Sequence, residues 1–217
     1  PEQVVSYIEE YQKNSTIPLL IGVDEEGGTV TRVSRFSQLR ATKYESPQDV
    51  YNEGGMDKII EDTYDKSEFL RSLGINVNLG PVADVSVDEN SFIYNRTFGK
   101  DGQATALYVS EVVKAMKEAK IGSTLKHFPG YGDNVDTHEE IAMDNRGLSE
   151  FETIDFLPFV AGIEAGADSI LVSHNIVGSM DAEYPSSISL KVHNILREDL
   201  KFYGVIMTDD LGMEGIK

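Results

Sequence analysis

Two hydrophobic patterns alternate along the chain. Apolar residues spaced three and four apart, the signature of an amphipathic helix, run over about residues 2–13, 56–73, 105–119, 154–165 and 190–200. Each of these stretches leads into a short apolar run rich in β-branched residues, at 18–24, 75–81, 121–127, 168–174 and 204–209. Runs of that length with no polar alternation predict strands covered on both faces. Helix then strand, five times over, predicts a parallel sheet with crossover helices in a single α/β domain.

A doubly wound sheet and a barrel both satisfy that order. The strand ends favour the barrel. They carry Asp24, then Asp84 shortly after the second strand, then Lys126 and His127, then Ser173 and His174, then Asp209. Five ends that all bear reactive or charged groups suggest one ring of loops around one site, as at the C-terminal face of a barrel. The prediction is a TIM-like (β/α)8 barrel, incomplete in this chain. A full barrel takes roughly 250 residues, and only five strands are visible, so the first strand and the last one or two are expected outside it. Residues 1–217 are read as one domain, truncated at both ends, and the chain opens on Pro1 rather than on Met.

Composition narrows the partners. At 217 residues and 40% hydrophobic, the chain can bury one sizeable core. Nineteen Lys and Arg against 37 Asp and Glu give a formal charge of −18. Such a surface repels phosphate backbones and anionic headgroups, so no nucleic-acid partner is expected, whereas a neutral sugar feels no such repulsion. The absence of cysteine excludes disulfides and thiolate metal sites. It fits both a reducing cytoplasm and a bacterial cell surface, which leaves the compartment open. No apolar run reaches transmembrane length, and nothing in the sequence speaks to oligomeric state.

Five segments carry candidate chemistry. Asp24-Glu-Glu-Gly-Gly-Thr-Val-Thr-Arg32 brackets paired glycines with an acceptor, Asp24, and a donor, Arg32, both suited to sugar hydroxyls; alone it reads equally as a solvated turn. Asn95-Arg-Thr-Phe-Gly99 places Arg96 in a long polar loop from Asp84 to Gln103, and long loops in compact domains are often functional. Lys126 and His127 sit side by side at a strand end. In Asp136-Thr-His138, a carboxylate two residues from an imidazole can orient it and favour its protonated form, which makes a general acid. A metal site built from His127, Asp133, Asp136 and His138 is the competing reading. Finally, Asp209 and Asp210 follow the last strand. Asp209 stands where a barrel presents catalytic groups, and Asp210 is placed to cap a short helix.

Taken together, these segments resemble glycoside hydrolase family 3, and within it the β-N-acetylhexosaminidase branch, from about Pro18 to Met213. The resemblance rests on Asp24–Arg32, Gly80-Pro-Val-Ala-Asp84, Asn95–Gly99, Lys126-His-Phe-Pro-Gly-Tyr-Gly-Asp133, Asp136-Thr-His138 and Thr208-Asp-Asp-Leu-Gly-Met213, in the family's order. It implies a barrel fold, retention of anomeric configuration and a glycosyl-enzyme intermediate, with no cofactor and no metal. It implies that Asp209 is the nucleophile, that His138 held by Asp136 is the acid/base, and that Asp24, Arg32, Arg96, Lys126 and His127 bind the sugar. The implied substrate carries terminal β-linked N-acetylglucosamine, as in peptidoglycan-derived fragments. The alternatives are a phosphorylase of the same family, a metal-dependent barrel hydrolase and a non-catalytic sugar-binding module. Two positions depart from the family pattern. Thr29 replaces an arginine and Tyr131 replaces a histidine, which bears on aglycone preference.

Overall fold

The computed structural model describes residues 1–132 and 142–216. At its centre is a parallel sheet of five strands lying in chain order: β1 (Gly22–Val23), β2 (Val77–Asn78), β3 (Gly122–Phe128), β4 (Ser169–Val172) and β5 (Val205–Thr208). Every neighbouring pair is parallel. The sheet curls, so that residues at the ends of all five strands face one cavity. This is the incomplete barrel expected from the strand-end chemistry. Outside it, Glu25–Gly27 pairs antiparallel with Val30–Thr31, and Met143–Asp144 pairs parallel with Ile176–Val177.

The register sorts side chains between two faces. Leu125, Ile170 and Ile206 share one row and pack outward against the helices, while Lys126, Leu171 and Met207 share the next row and face the cavity. The main core therefore lies between the sheet's outer face and its helices: α1 (Glu2–Asn14), α2 (Pro47–Ser72), α3 (Gly102–Glu118), α4 (Phe156–Ala165) and α5 (Leu190–Asn194). Phe128, just beyond the cavity row, stacks on Phe156 at 5.3 Å between centroids and meets Phe159 edge-on at 5.1 Å. Aromatic contacts of this kind lock the end of β3, where two candidate site residues sit, onto α4.

The helices depart from the sequence pattern mainly at their starts. α2 begins at Pro47 rather than near Met56, because Ser46 caps it by accepting the Asp49 N–H and proline suits the first turn. Its backbone leaves helical geometry at Gly54 and Gly55 before resuming where the apolar periodicity begins. α3 starts at Gly102, with the Asp101 carboxylate accepting from Ala104 N. The fourth and fifth predicted helices each include a π-turn, Phe151–Asp155 before α4 and Ile195–Asp199 after α5. Among the described residues no helix is long and apolar enough to cross a membrane.

Candidate active site

The site begins where β1 ends. Asp24 is followed by Glu25, which is fully buried; its carboxylate accepts the backbone N–H of Arg32 at 3.0 Å and of Val33 at 2.8 Å. Asn78 of β2 grips the same residue from the other side, accepting from Glu25 N and donating to Glu25 O, each at 3.0 Å. The hairpin is thereby folded back so that Arg32 stands at the cavity rim. Gly27 makes the turn at φ 106, where a Cβ would lie 2.1 Å from the Glu45 carbonyl oxygen, so no side chain fits.

A buried chain of charges crosses the floor. Lys126 Nζ lies 2.5 Å from Asp24 Oδ1 and 2.7 Å from Glu26 Oε1. Arg96, on the 3-10 turn Tyr94–Arg96, forks onto Glu26 through Nε at 3.0 Å and Nη2 at 2.9 Å. Burial alone would raise the pKa of Glu26, but Lys126 and Arg96 outweigh it and hold the carboxyl at about 2. Burial likewise opposes the charge on Arg96, and Glu26 reverses the balance and raises its pKa. Both partners are charged because each has the other, as buried ions require.

His127 extends this chain. Its Nε2 lies 3.2 Å from Arg96 Nη2 and its Nδ1 lies 2.7 Å from Asp84 Oδ2. A guanidinium only donates, so Nε2 accepts and the ring proton sits on Nδ1, donated to Asp84. Asp84, itself buried, also accepts from the backbone N–H groups of His127 and Tyr131, at 3.0 and 2.9 Å. In a regular strand Lys126 and His127 would point to opposite faces. Here the peptide between them is cis, the pairing with β4 shifts register between Lys126 and Phe128, and both side chains line the same cavity.

Asp209 closes the opposite wall at the end of β5. It is half-buried, its N–H donates to Val172 O at 3.0 Å, and its Oδ1 accepts from Asp210 N at 2.9 Å. Asp210 is exposed and accepts from Gly212 N at 2.8 Å. Its carboxylate therefore closes a local turn rather than capping the helix expected there. The next helical turn, Glu214–Ile216, is a short 3-10 segment.

A single cavity of about 350 Å³ thus brings together Asp24, Arg32, Arg96, Lys126, His127 and Asp209. Asp136 and His138, expected as the acid/base pair, lie outside the described residues, as does Asp133. Of the alternative metal set only His127 is described, and its two nitrogens are engaged by Asp84 and Arg96. Among the described residues no group of three or more His, Asp or Glu could hold a metal ion.

Several residues that shape the site were not anticipated. Glu26 reads in sequence as part of a solvated turn, yet it is the hub between Lys126 and Arg96. Arg146 braces the Gly130–Gly132 turn, donating to Gly130 O at 3.4 Å, to Asp144 at 2.8 to 3.1 Å and to Asp155 at 2.9 Å. Burial pushes Asp155 up to about 7 against the pull of Arg146. His174, named in the sequence only as a polar strand end, is completely buried between Ser187 and Asp210. The available signal was its place in a Ser-His-Asn run directly after an apolar strand, where a solvated residue would have been ordinary.

The family model described as the glycosyl hydrolase family 3 N-terminal domain matches residues 2–217. A protein named beta-hexosaminidase from Xylella fastidiosa strain M23 is 32% identical over 218 residues, covering 99% of this chain and 65% of its own length. The chain thus spans a little under two thirds of that relative. Among solved structures, a family 3 β-N-acetylglucosaminidase from Paenibacillus sp. str. FPU-7 is similar with a TM-score of 0.91 at 28% identity, over 99% of this chain and 41% of that one. NagZ from Neisseria gonorrhoeae is similar with a TM-score of 0.86 at 28% identity, over 99% of this chain and 64% of that one.

Proposed function

Because the chain belongs to glycosyl hydrolase family 3, we propose that it forms the catalytic barrel of a retaining glycosidase that releases terminal β-linked N-acetylglucosamine. The reading is carried by one observation. Asp209 faces Asp24, Arg32, Arg96, Lys126 and His127 across one cavity at the C-terminal ends of parallel strands, where barrel enzymes hold their substrates. The names of the similar proteins support the sugar, and a cavity of about 350 Å³ is within the usual size of small-ligand pockets.

The division of labour follows from charge and exposure. Asp24 is the open end of the buried chain, its side chain 35% accessible, while Lys126 and Glu26 behind it are sealed at 2% each. Asp24 accepts from the sugar hydroxyls while Lys126 fixes its position. Arg32 donates from the rim. Asp209 Oδ attacks the anomeric carbon; the C1–O bond to the aglycone breaks, and His138, protonated and oriented by Asp136, gives its proton to the departing oxygen. Water then attacks C1, His138 takes its proton, and the bond from C1 to Asp209 breaks. The natural substrates on this reading are peptidoglycan-derived fragments.

The test is product analysis of the full chain on a chromogenic N-acetylglucosaminide, with and without inorganic phosphate. Free N-acetylglucosamine of retained configuration is expected under both conditions. Accumulation of the sugar 1-phosphate would instead make the protein a phosphorylase, and an inverted product would overturn the mechanism.

A further inference from the structure

His174 has no part in the mechanism above, yet among the described residues no imidazole is more deeply enclosed. It follows β4 and has no solvent exposure. Its Nε2 lies 2.9 Å from the Asp210 carbonyl oxygen and its Nδ1 lies 2.7 Å from Ser187 Oγ. A carbonyl oxygen only accepts, so the ring proton sits on Nε2, and Nδ1 is left to accept from the Ser187 hydroxyl. Ser187 is itself buried, and its carbonyl oxygen lies 3.0 Å from His193 Nε2 on α5. The imidazole is therefore set from behind and presents one donor to one target.

That target is the residue after the assigned nucleophile. Asp210 is held at four points: its N–H donates to the Asp209 carboxylate at 2.9 Å, its carboxylate accepts from Gly212 N at 2.8 Å, and its carbonyl accepts both from Met213 N within the turn, at 3.1 Å, and from His174 outside it. The N–H and the carbonyl belong to the same residue, so fixing the carbonyl fixes the direction from which the N–H meets Asp209 Oδ1. The turn gains little placement from apolar burial, since Asp210, Leu211 and Gly212 are all exposed and Met213 is the next buried side chain. Burying a polar ring against the carbonyl of an exposed turn does little for the core, and a buried donor without an acceptor would be costly. What the contact does supply is a fixed orientation.

We propose that His174 is a positioning residue for the nucleophile, aligning the Asp209 carboxylate through the backbone of Asp210. The inference rests on the assignment of Asp209 as nucleophile. Misplacement of a reacting group by about 1 Å can cost 10²-fold in rate, so the effect should appear in kcat.

The experiment uses the full chain and two N-acetylglucosaminides, one with a nitrophenolate leaving group and one with a poor alkyl leaving group. His174→Leu, which fills the space without a donor, is expected to lower kcat roughly 10–10²-fold on both substrates alike, with KM changed less than about threefold and the protein still folded by circular dichroism. His174→Gln, which restores an N–H donor, should recover most of the loss. Ser187→Ala should lower kcat a few-fold in the same direction, and it decides the question if neither His174 variant folds. Unchanged kcat in Ser187→Ala together with His174 variants that fail to fold would overturn the proposal. So would a loss confined to KM, or a Gln variant no better than Leu. Asp209→Asn is run alongside: if it retains turnover, the nucleophile assignment itself fails, whereas a dead Asp209→Asn with a fully active His174→Leu removes only the positioning role.

Discussion

The two walls of the cavity are built in opposite ways. On one side Asp24, Lys126, Glu26, Arg96, His127 and Asp84 form a continuous chain of short contacts, most of it sealed from solvent. On the other, Asp209 is half-buried at the end of an edge strand of the sheet, and among the described residues no cation lies within ion-pair distance of its carboxylate. The first wall has its charges matched and its geometry fixed before any ligand arrives, which suits recognition of hydroxyls. Among the described residues the second leaves a carboxylate without an ion-pair partner, which suits a nucleophile. A buried cation on Asp209 would stabilise its charge and blunt its attack, just as Lys126 and Arg96 stabilise Glu26.

If the walls differ in this way, activity and stability should separate between them. Asp209→Asn should reduce turnover by at least on the order of 10⁴-fold, the scale of losing a nucleophile, with little change in thermal unfolding. Asp210→Asn should cost far less, and a dead Asp210→Asn beside an active Asp209→Asn would reverse the assignment. His138→Ala should slow substrates with poor leaving groups by roughly 10²–10⁴-fold, and nitrophenyl substrates less in their first step. Equal loss on both classes would make that segment a binding element.

Glu26→Gln should show the opposite balance to Asp209→Asn. It leaves Lys126 and Arg96 buried beside a neutral amide and should cost about 3–5 kcal/mol of stability, measured by denaturant unfolding. The pH dependence has a definite sign. The folded pKa of Glu26, about 2, lies below its ordinary 4.5. Its contribution, about 3 kcal/mol, is therefore present above pH 4.5 and lost as pH falls toward 2. The Gln variant should unfold with a shallower acid limb, and an unchanged limb would mean that Glu26 is not the group that titrates. The smallest effects belong to the rim: Asp24→Ala and Arg32→Ala should each lower kcat/KM by about 10–10²-fold, the worth of one or two charge-assisted hydrogen bonds. Wild-type kinetics in both would return the hairpin to a structural turn.

The fold was legible because each strand left a short apolar, β-branched run directly after a helical pattern, and all five such runs hold the five strands. Helix starts were less legible, since Ser46-Pro47 opens α2 through a local cap that carries no apolar periodicity. In the site, the residues that end strands were readable by position: Asp24, Lys126, His127 and Asp209 all reach the cavity. Arg32 and Arg96 also arrive there, on the hairpin and the 3-10 turn that their motifs marked. Glu26, Arg146, Asp155 and His174 were not readable, because their roles are made by partners far along the chain. Glu26 needs Arg96 and Lys126 to be more than a turn residue, and His174 needs the carbonyl of Asp210. Spacing in one sequence cannot express such pairings.

The central assignment, a covalent glycosyl-enzyme intermediate on Asp209, can be tested directly by trapping it. The full chain would be incubated with a fluorinated N-acetylglucosaminide that forms the intermediate quickly and releases it slowly, then digested and sequenced by mass spectrometry. The sugar should be found on Asp209 and be absent from the Asp209→Asn variant. A sugar attached to Asp210 or any other side chain, or turnover with no trapped species while the configuration inverts, would contradict it.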